Sequence, residues 1–129
     1  MERIRLSNQK VDLWGGIECS INRVNDTYQD QCELLGHYER AEEYLQAFAD
    51  LGISRIRFPV LWERHRPEPD TVPDWTYTEQ CLRFLTDRGI DPILGLVHHG
   101  SGPRYADFFD GSFAEGLAAF AAGVAPKFA

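Results

Sequence analysis

Four residues carry side chains whose type and setting suit a site: Glu18, Arg57, His98 and His99. Arg57 lies in Ile56-Arg57-Phe58-Pro59-Val60-Leu61-Trp62, and a guanidinium in such an apolar run needs a partner in any fold; a buried Arg paired with an acid is the plain alternative to a site role. His98 and His99 end the apolar run Ile93-Leu94-Gly95-Leu96-Val97 and open a glycine-rich stretch. That setting favours a working imidazole at His98 over a satisfied core histidine, and leaves His99 between loop packing and ligand contact. Neighbours on an extended strand face opposite ways, so the pair is not expected to form a two-histidine metal site. Glu18 reads either as a site carboxylate or as an ion-pair partner of Arg57. Trp14 and Trp62 read as packing residues.

Other chemistries find little support. The cysteines, Cys19, Cys32 and Cys81, are odd in number and lack CxxC spacing, so neither a disulfide framework nor a zinc site is expected. There is no phosphate-binding GxxxxGK[ST] and no GxGxxG. Ser101 in His98-His99-Gly100-Ser101-Gly102 lacks GxSxG spacing, and no Asp–His pair follows it. Glu63, Glu68 and Asp70 fall in or beside a proline-rich stretch and read as solvated. No metal and no cofactor is expected.

These groups must be positioned by a chain of 129 residues with 13 basic and 20 acidic side chains, a net charge of −7. Hydrophobic residues at 43% and charged residues at 26% fit a soluble globular domain rather than a disordered chain. No apolar run is long enough to span a membrane. The acidic balance argues against general nucleic-acid binding. Residues Met1–Ser7 hold no apolar core of a signal peptide, so a cytoplasmic protein with reduced thiols is expected.

Strand and helix signals alternate. Strands are expected at 11–19, 53–61 and 91–98, and helices at 39–51, 76–88 and 113–125. In the first helix Ala41, Tyr44, Leu45, Phe48 and Leu51 share helical spacing and Gly52 ends it. Gly89 ends the second. In the third, Ser112 is the expected N-cap, with Phe113, Leu117, Phe120 and Val124 on one face. Residues 20–36 read as polar and irregular. A weak repeat, Asp50–Ile56 returning as Asp87–Ile93, marks two helix ends that lead into buried strands. Repeated units of this kind imply an α/β fold with parallel strands. A parallel sheet must be covered on both faces or closed, and a (β/α)8 TIM barrel takes about 250 residues. The expectation is therefore one partial barrel segment over 1–129, the first three βα units, with a small three-stranded domain as the alternative.

Residues 57–67 read RFPVLWERHRP, and Arg57, Phe58, Trp62, Arg64 and Pro67 match a pattern R-F-S-x-x-W-x-R-x-x-P. This resembles the second-strand signature of glycoside hydrolase family 1. Leu13-Trp14-Gly15 resembles that family's first-strand LWG, and Leu96–Pro103 its third-strand L-x-H-W-D-L-P. The resemblance spans residues 11 to about 125. It is nearest to a bacterial branch whose first strand reads W-G-G-x-E and whose third ends H-H-G-S-G-P, sometimes fused to a dTDP-4-dehydrorhamnose reductase domain.

The resemblance implies roles. His98 would hydrogen-bond a sugar hydroxyl. Asn22 stands where the family has a Gln that reads two hydroxyls. Arg57 would orient the nucleophilic carboxylate and keep it ionised. Glu18 and His99 join the substrate-binding group through the branch signatures. Asn22 and His99-Gly100 depart from the common family pattern and put an ordinary glucoside or galactoside in doubt. Retaining glycosidases need two carboxylates about 5–5.5 Å apart, which the family takes from strands 4 and 7, and no Asn-Glu-Pro occurs here. The chain is thus expected to supply sugar-binding groups of a hydrolase acting on O-glycosidic bonds, and to be inactive alone. Its expected partners are a carbohydrate and the rest of the barrel, or itself by association. A non-catalytic sugar-binding or partner-dependent module, or the accessory barrel of a reductase fusion, is the alternative.

Overall fold

The computed structural model describes residues 12–128. Val11 of the first expected strand and the Met1–Ser7 stretch read for a signal peptide lie outside them. In chain order the elements are β1 (Trp14–Gly16), β2 (Ile21–Val24), β3 (Thr27–Asp30), α1 (Gln31–Leu34), α2 (Ala41–Asp50), β4 (Arg55–Pro59), α3 (Trp62–His65), α4 (Thr76–Thr86), β5 (Asp91–Gly95) and α5 (Ser112–Phe128).

Three strands form a parallel sheet in the order β1-β4-β5, in which Gly16, Arg57 and Ile93 share a row. β4 alternates charge with apolar bulk. Ile56 and Phe58 are fully buried on the helix side, while Arg55 and Arg57 stand on the other face. Gly15 lets β1 lie close under the helices, since a Cβ there would come within 2.8 Å of Ile53 and 3.3 Å of Phe48. α2 packs on α4. Leu45, Leu82, Leu85, Phe120 and Val124 complete the core beneath the sheet.

Helix ends follow glycine. Gly52 and Gly89 sit just past α2 and α4 with φ of 75° and 70°, a left-handed turn that other residues adopt at a cost. The start of α5 differs from expectation. The Ser112 hydroxyl accepts a bond from the Asp107 N–H at 2.8 Å, and Asp110 accepts the Ser112 N–H at 2.9 Å. The aspartate carboxylate, not the serine hydroxyl, therefore meets the first helical N–H.

Residues 20–36 are not irregular. β2 and β3 form an antiparallel hairpin through Asn25, at φ 56°, and Asp26. Asp30 then caps α1 by accepting the Cys32 and Glu33 N–H groups. The run after β4 breaks into α3 once Pro59 can no longer donate to a ladder. Trp62 is buried against Tyr105, Phe113 and Phe120, as expected of a packing residue. Trp14 is not: it is 59% exposed on the open face of the sheet, beneath the Arg55 guanidinium. Glu63 overturns the solvated reading, because α3 turns it inward beside Trp62 and leaves it 6% exposed.

Among the described residues the face of the sheet away from the helices is uncovered. It carries the row Trp14, Arg55, Asp91 and the row Gly16, Arg57, Ile93. Arg55 ties its row together through ion pairs of 3.6 Å to both Asp12 and Asp91.

Candidate functional site

The C-terminal ends of the three parallel strands bring Glu18, Arg57, His98 and His99 together. β4 presents Arg57 on the open face, and its guanidinium lies over Gly16, where a Cβ would approach Nη2 to 3.4 Å. Glu18 follows β1 and His98 follows β5. The His98 Nε2 atom lies 3.5 Å from Arg57 Nη2 and 3.7 Å from Glu18 Oε1.

Each titrating group is held by its surroundings. Burial lowers the His98 pKa, the positive charge of Arg57 and His99 lowers it further, and Glu18 opposes them. The imidazole is therefore neutral near pH 7, with one nitrogen that donates and one that accepts. Glu18 is held below the ordinary carboxylate range, first by the Ser20 hydroxyl at 2.7 Å, then by the Ser20 N–H and the charge of His98 and His99. A carboxylate, a guanidinium and a neutral imidazole on one rim can hold a hydroxylated ligand by donating and accepting at once.

Several expectations change here. β5 stops at Gly95, and His99 adopts φ 53°, so the two histidines do not face opposite ways along a strand. Their rings meet edge to face with centroids 4.2 Å apart. Arg57 is exposed rather than buried, and among the described residues it forms no ion pair. Glu18 engages His98 and Ser20 instead. Asn22 is not brought into the cluster. It sits half-buried on β2 opposite Gln29, with no side-chain hydrogen bond among the described residues.

Two residues that shape the site went unread in the sequence. Ser20 holds Glu18 across a two-residue gap, a local pattern visible in Glu18-Cys19-Ser20. Glu63 Oε1 accepts the Gly102 N–H at 3.0 Å and so holds the loop that follows the histidines. Gly100 packs on that carboxyl, where a Cβ would collide with Glu63 Oε1. Burial raises the Glu63 pKa, against the pull of the backbone N–H groups it accepts from. The signal was slight: its place directly after the apolar run Val60-Leu61-Trp62.

Among the described residues no three His, Cys, Asp or Glu side chains gather to hold a metal ion. The three cysteines are free and buried, and burial pushes Cys19 and Cys81 up to about 11 and Cys32 up to about 12. Thiols held that high are protonated and poor nucleophiles at neutral pH. No helix among the described residues is long and apolar enough to cross a membrane.

No protein-family model matches the chain, and no curated protein matches it. Among solved structures, the chain is similar to the exo-β-1,4-mannosidase Op5Man5 from Opitutaceae bacterium strain TAV5, with a TM-score of 0.59 at 22% identity. The match covers 88% of this chain and 21% of the mannosidase, so the chain spans about a fifth of that protein's length. At this identity the likeness is one of fold: the α/β arrangement of parallel strands and helices occurs within a glycosidase.

Proposed function

We propose that these residues are the first three βα units of a (β/α)8 glycosidase barrel of the family-1-like type, and that they supply part of its sugar-binding rim. One observation carries the reading: Glu18, Arg57 and His98 converge at the C-terminal ends of three adjacent parallel strands, where barrel enzymes build their sites. The likeness in fold to an exo-β-1,4-mannosidase supports a carbohydrate as the ligand class. The WGG-x-E and HHGSGP runs support the bacterial branch that includes reductase fusions.

In this reading the neutral His98 donates to or accepts from a sugar hydroxyl. His99 and Glu18 flank that hydroxyl. Asn22, on the hairpin and outside this cluster, takes no part in that contact. Arg57 faces the barrel interior, free to hold a nucleophilic carboxylate of a later strand in its ionised form. Hydrolysis by double displacement needs that carboxylate and an acid/base partner about 5–5.5 Å away. This chain's own groups bind and orient; they do not cleave.

The test is to isolate the native polypeptide from its source cells, measure its intact mass and assay it on nitrophenyl glycosides. The expected result is a chain of roughly 250 residues or more with hydrolase activity that falls at least about a hundredfold in Arg57→Ala. A long chain that hydrolyses no glycoside, or one indifferent to Arg57, overturns the reading. A native chain of only these residues replaces it with a sugar-binding module.

A further inference from the structure

A second concavity shares none of its lining residues with the Glu18–Arg57–His98 cluster. It is a cleft of about 300 Å³ between the β2–β3 hairpin, α3 and the loop at Pro103. At that size it is at the low end for a ligand pocket, with room for one small ring rather than a chain of them.

Its lining has a definite chemistry. Ile21, Pro67 and Pro103 give apolar surface, and Tyr28 adds a ring whose hydroxyl donates to the Gly102 carbonyl at 3.3 Å. The two cations are already paired: Arg64 lies 3.8 Å from Asp30, and Arg104 lies 3.7 Å from Asp26 and donates to its carbonyl at 2.8 Å. An anionic ligand would have to displace a carboxylate, so the cleft suits a neutral one. Asp30 and Glu68 offer acceptors, and the spare guanidinium N–H groups offer donors.

The remaining wall is Glu63, 6% exposed, whose Oε2 has no hydrogen-bond partner among the described residues. A buried polar atom left unpaired is destabilising, so its persistence asks for a function. Burial favours the neutral acid, whose O–H is a donor. Apolar surface, donors and acceptors of balanced charge, and an unpaired buried acid together match a ligand with a C–H face and a rim of hydroxyls.

We infer that this cleft binds one neutral pyranose ring, as a second sugar position beside the Glu18–Arg57–His98 rim. The inference rests on the proposed sugar site in one respect: Pro103 and Arg104 follow His98 and His99 in the same loop, which joins the cleft to the rim.

The test is a titration of the full chain with D-mannose and D-glucose, followed by amide NMR shifts. Saturable shifts at Tyr28, Glu63 and Gly102 are expected. Glucose 6-phosphate is expected to bind several-fold more weakly. Glu63→Leu is expected to weaken binding about tenfold, whereas Glu63→Gln, which keeps an N–H donor, stays within about threefold. Should Glu63→Leu fail to fold, Arg104→Ala on the exposed rim serves instead, with a loss of about tenfold. Shifts confined to Glu18, His98 and His99 overturn the cleft and leave the rim standing. Shifts confined to the cleft uphold it and remove the rim. Tighter binding of the phosphate overturns the neutral ligand, and no shift with any sugar removes both sites.

Discussion

Nε2 of His98 stands between opposite charges, 3.5 Å from the Arg57 guanidinium and 3.7 Å from the Glu18 carboxylate. One nitrogen cannot accept from Arg57 and donate to Glu18 at the same time. With its lone pair on Nε2 the ring leans to Arg57; with its proton there it leans to Glu18. A sugar hydroxyl, which both donates and accepts, can bridge whichever side is left open.

This relationship predicts opposite responses to two substitutions. Arg57→Gln removes a positive charge that lowers the His98 pKa, so the pKa should rise. Glu18→Gln removes the charge that raises it, so the pKa should fall. Proton NMR titration of the His98 ring reads both. No shift in either variant would mean that burial alone sets the titration.

The other buried histidine governs acid stability. His65 is 6% exposed, packs on Trp75 and Phe120, and meets the Thr78 hydroxyl at 3.2 Å. Burial lowers its pKa from 6.5 to about 4. In that window the unfolded chain binds the proton that the folded chain refuses. Stability is therefore complete above about pH 6.5 and declines as pH falls toward 4, by up to about 3 kcal/mol. Glu63 acts in the opposite sense, since a carboxyl raised by folding loses stability as pH climbs past its unfolded value. Urea midpoints compared at about pH 7 and pH 5 should drop for the wild type and drop much less for His65→Phe. Equal drops would clear His65 of the effect.

Two glycines of α5 separate packing from propensity. A Cβ on Gly116 would sit 2.5 Å from the buried Trp62 ring, while one on Gly123 meets nothing within 4 Å. Gly116→Ala should destabilise by about 1–3 kcal/mol through overpacking. Gly123→Ala should stabilise by about 0.5–1 kcal/mol through helix propensity alone. Chemical denaturation of the two variants gives the signs directly, and a neutral Gly116→Ala would mean that Trp62 has room to move.

Legibility in the sequence followed the range of the forces involved. The alternation in Arg55–Pro59 and the spacing of Phe113, Leu117, Phe120 and Val124 are local patterns, and both surface as buried faces. The hairpin hid because its turn, Asn25-Asp26, lacks the glycine that usually advertises one; Asn25 takes the left-handed position itself. Glu63 hid because only tertiary packing turns α3 inward. The rim was half legible. Strand topology delivers Arg57 and His98 to one end, whereas the hydrogen bonds of Glu18 and the place of Asn22 depend on loop paths that no periodicity records.

The open face of the sheet yields the last prediction. Parallel sheets are found covered on both sides, yet Trp14 is 59% and Ile93 43% exposed here, with Arg57 beside Ile93 in its row. β1 and β5 are the outer strands of the three, so their free backbone groups add a second drive to pair. Within a longer barrel the remaining strands would cover this face. Expressed as these residues alone, the chain should self-associate through it, and sedimentation should show a mass that grows with concentration. Ile93→Lys places a charge on the face at its outer strand and should shift the equilibrium toward monomer, while Val72→Lys, on an exposed loop, should not. A chain that stays monomeric and melts cooperatively would count against the barrel-segment reading, because the uncovered face would then be a stable surface of a small domain.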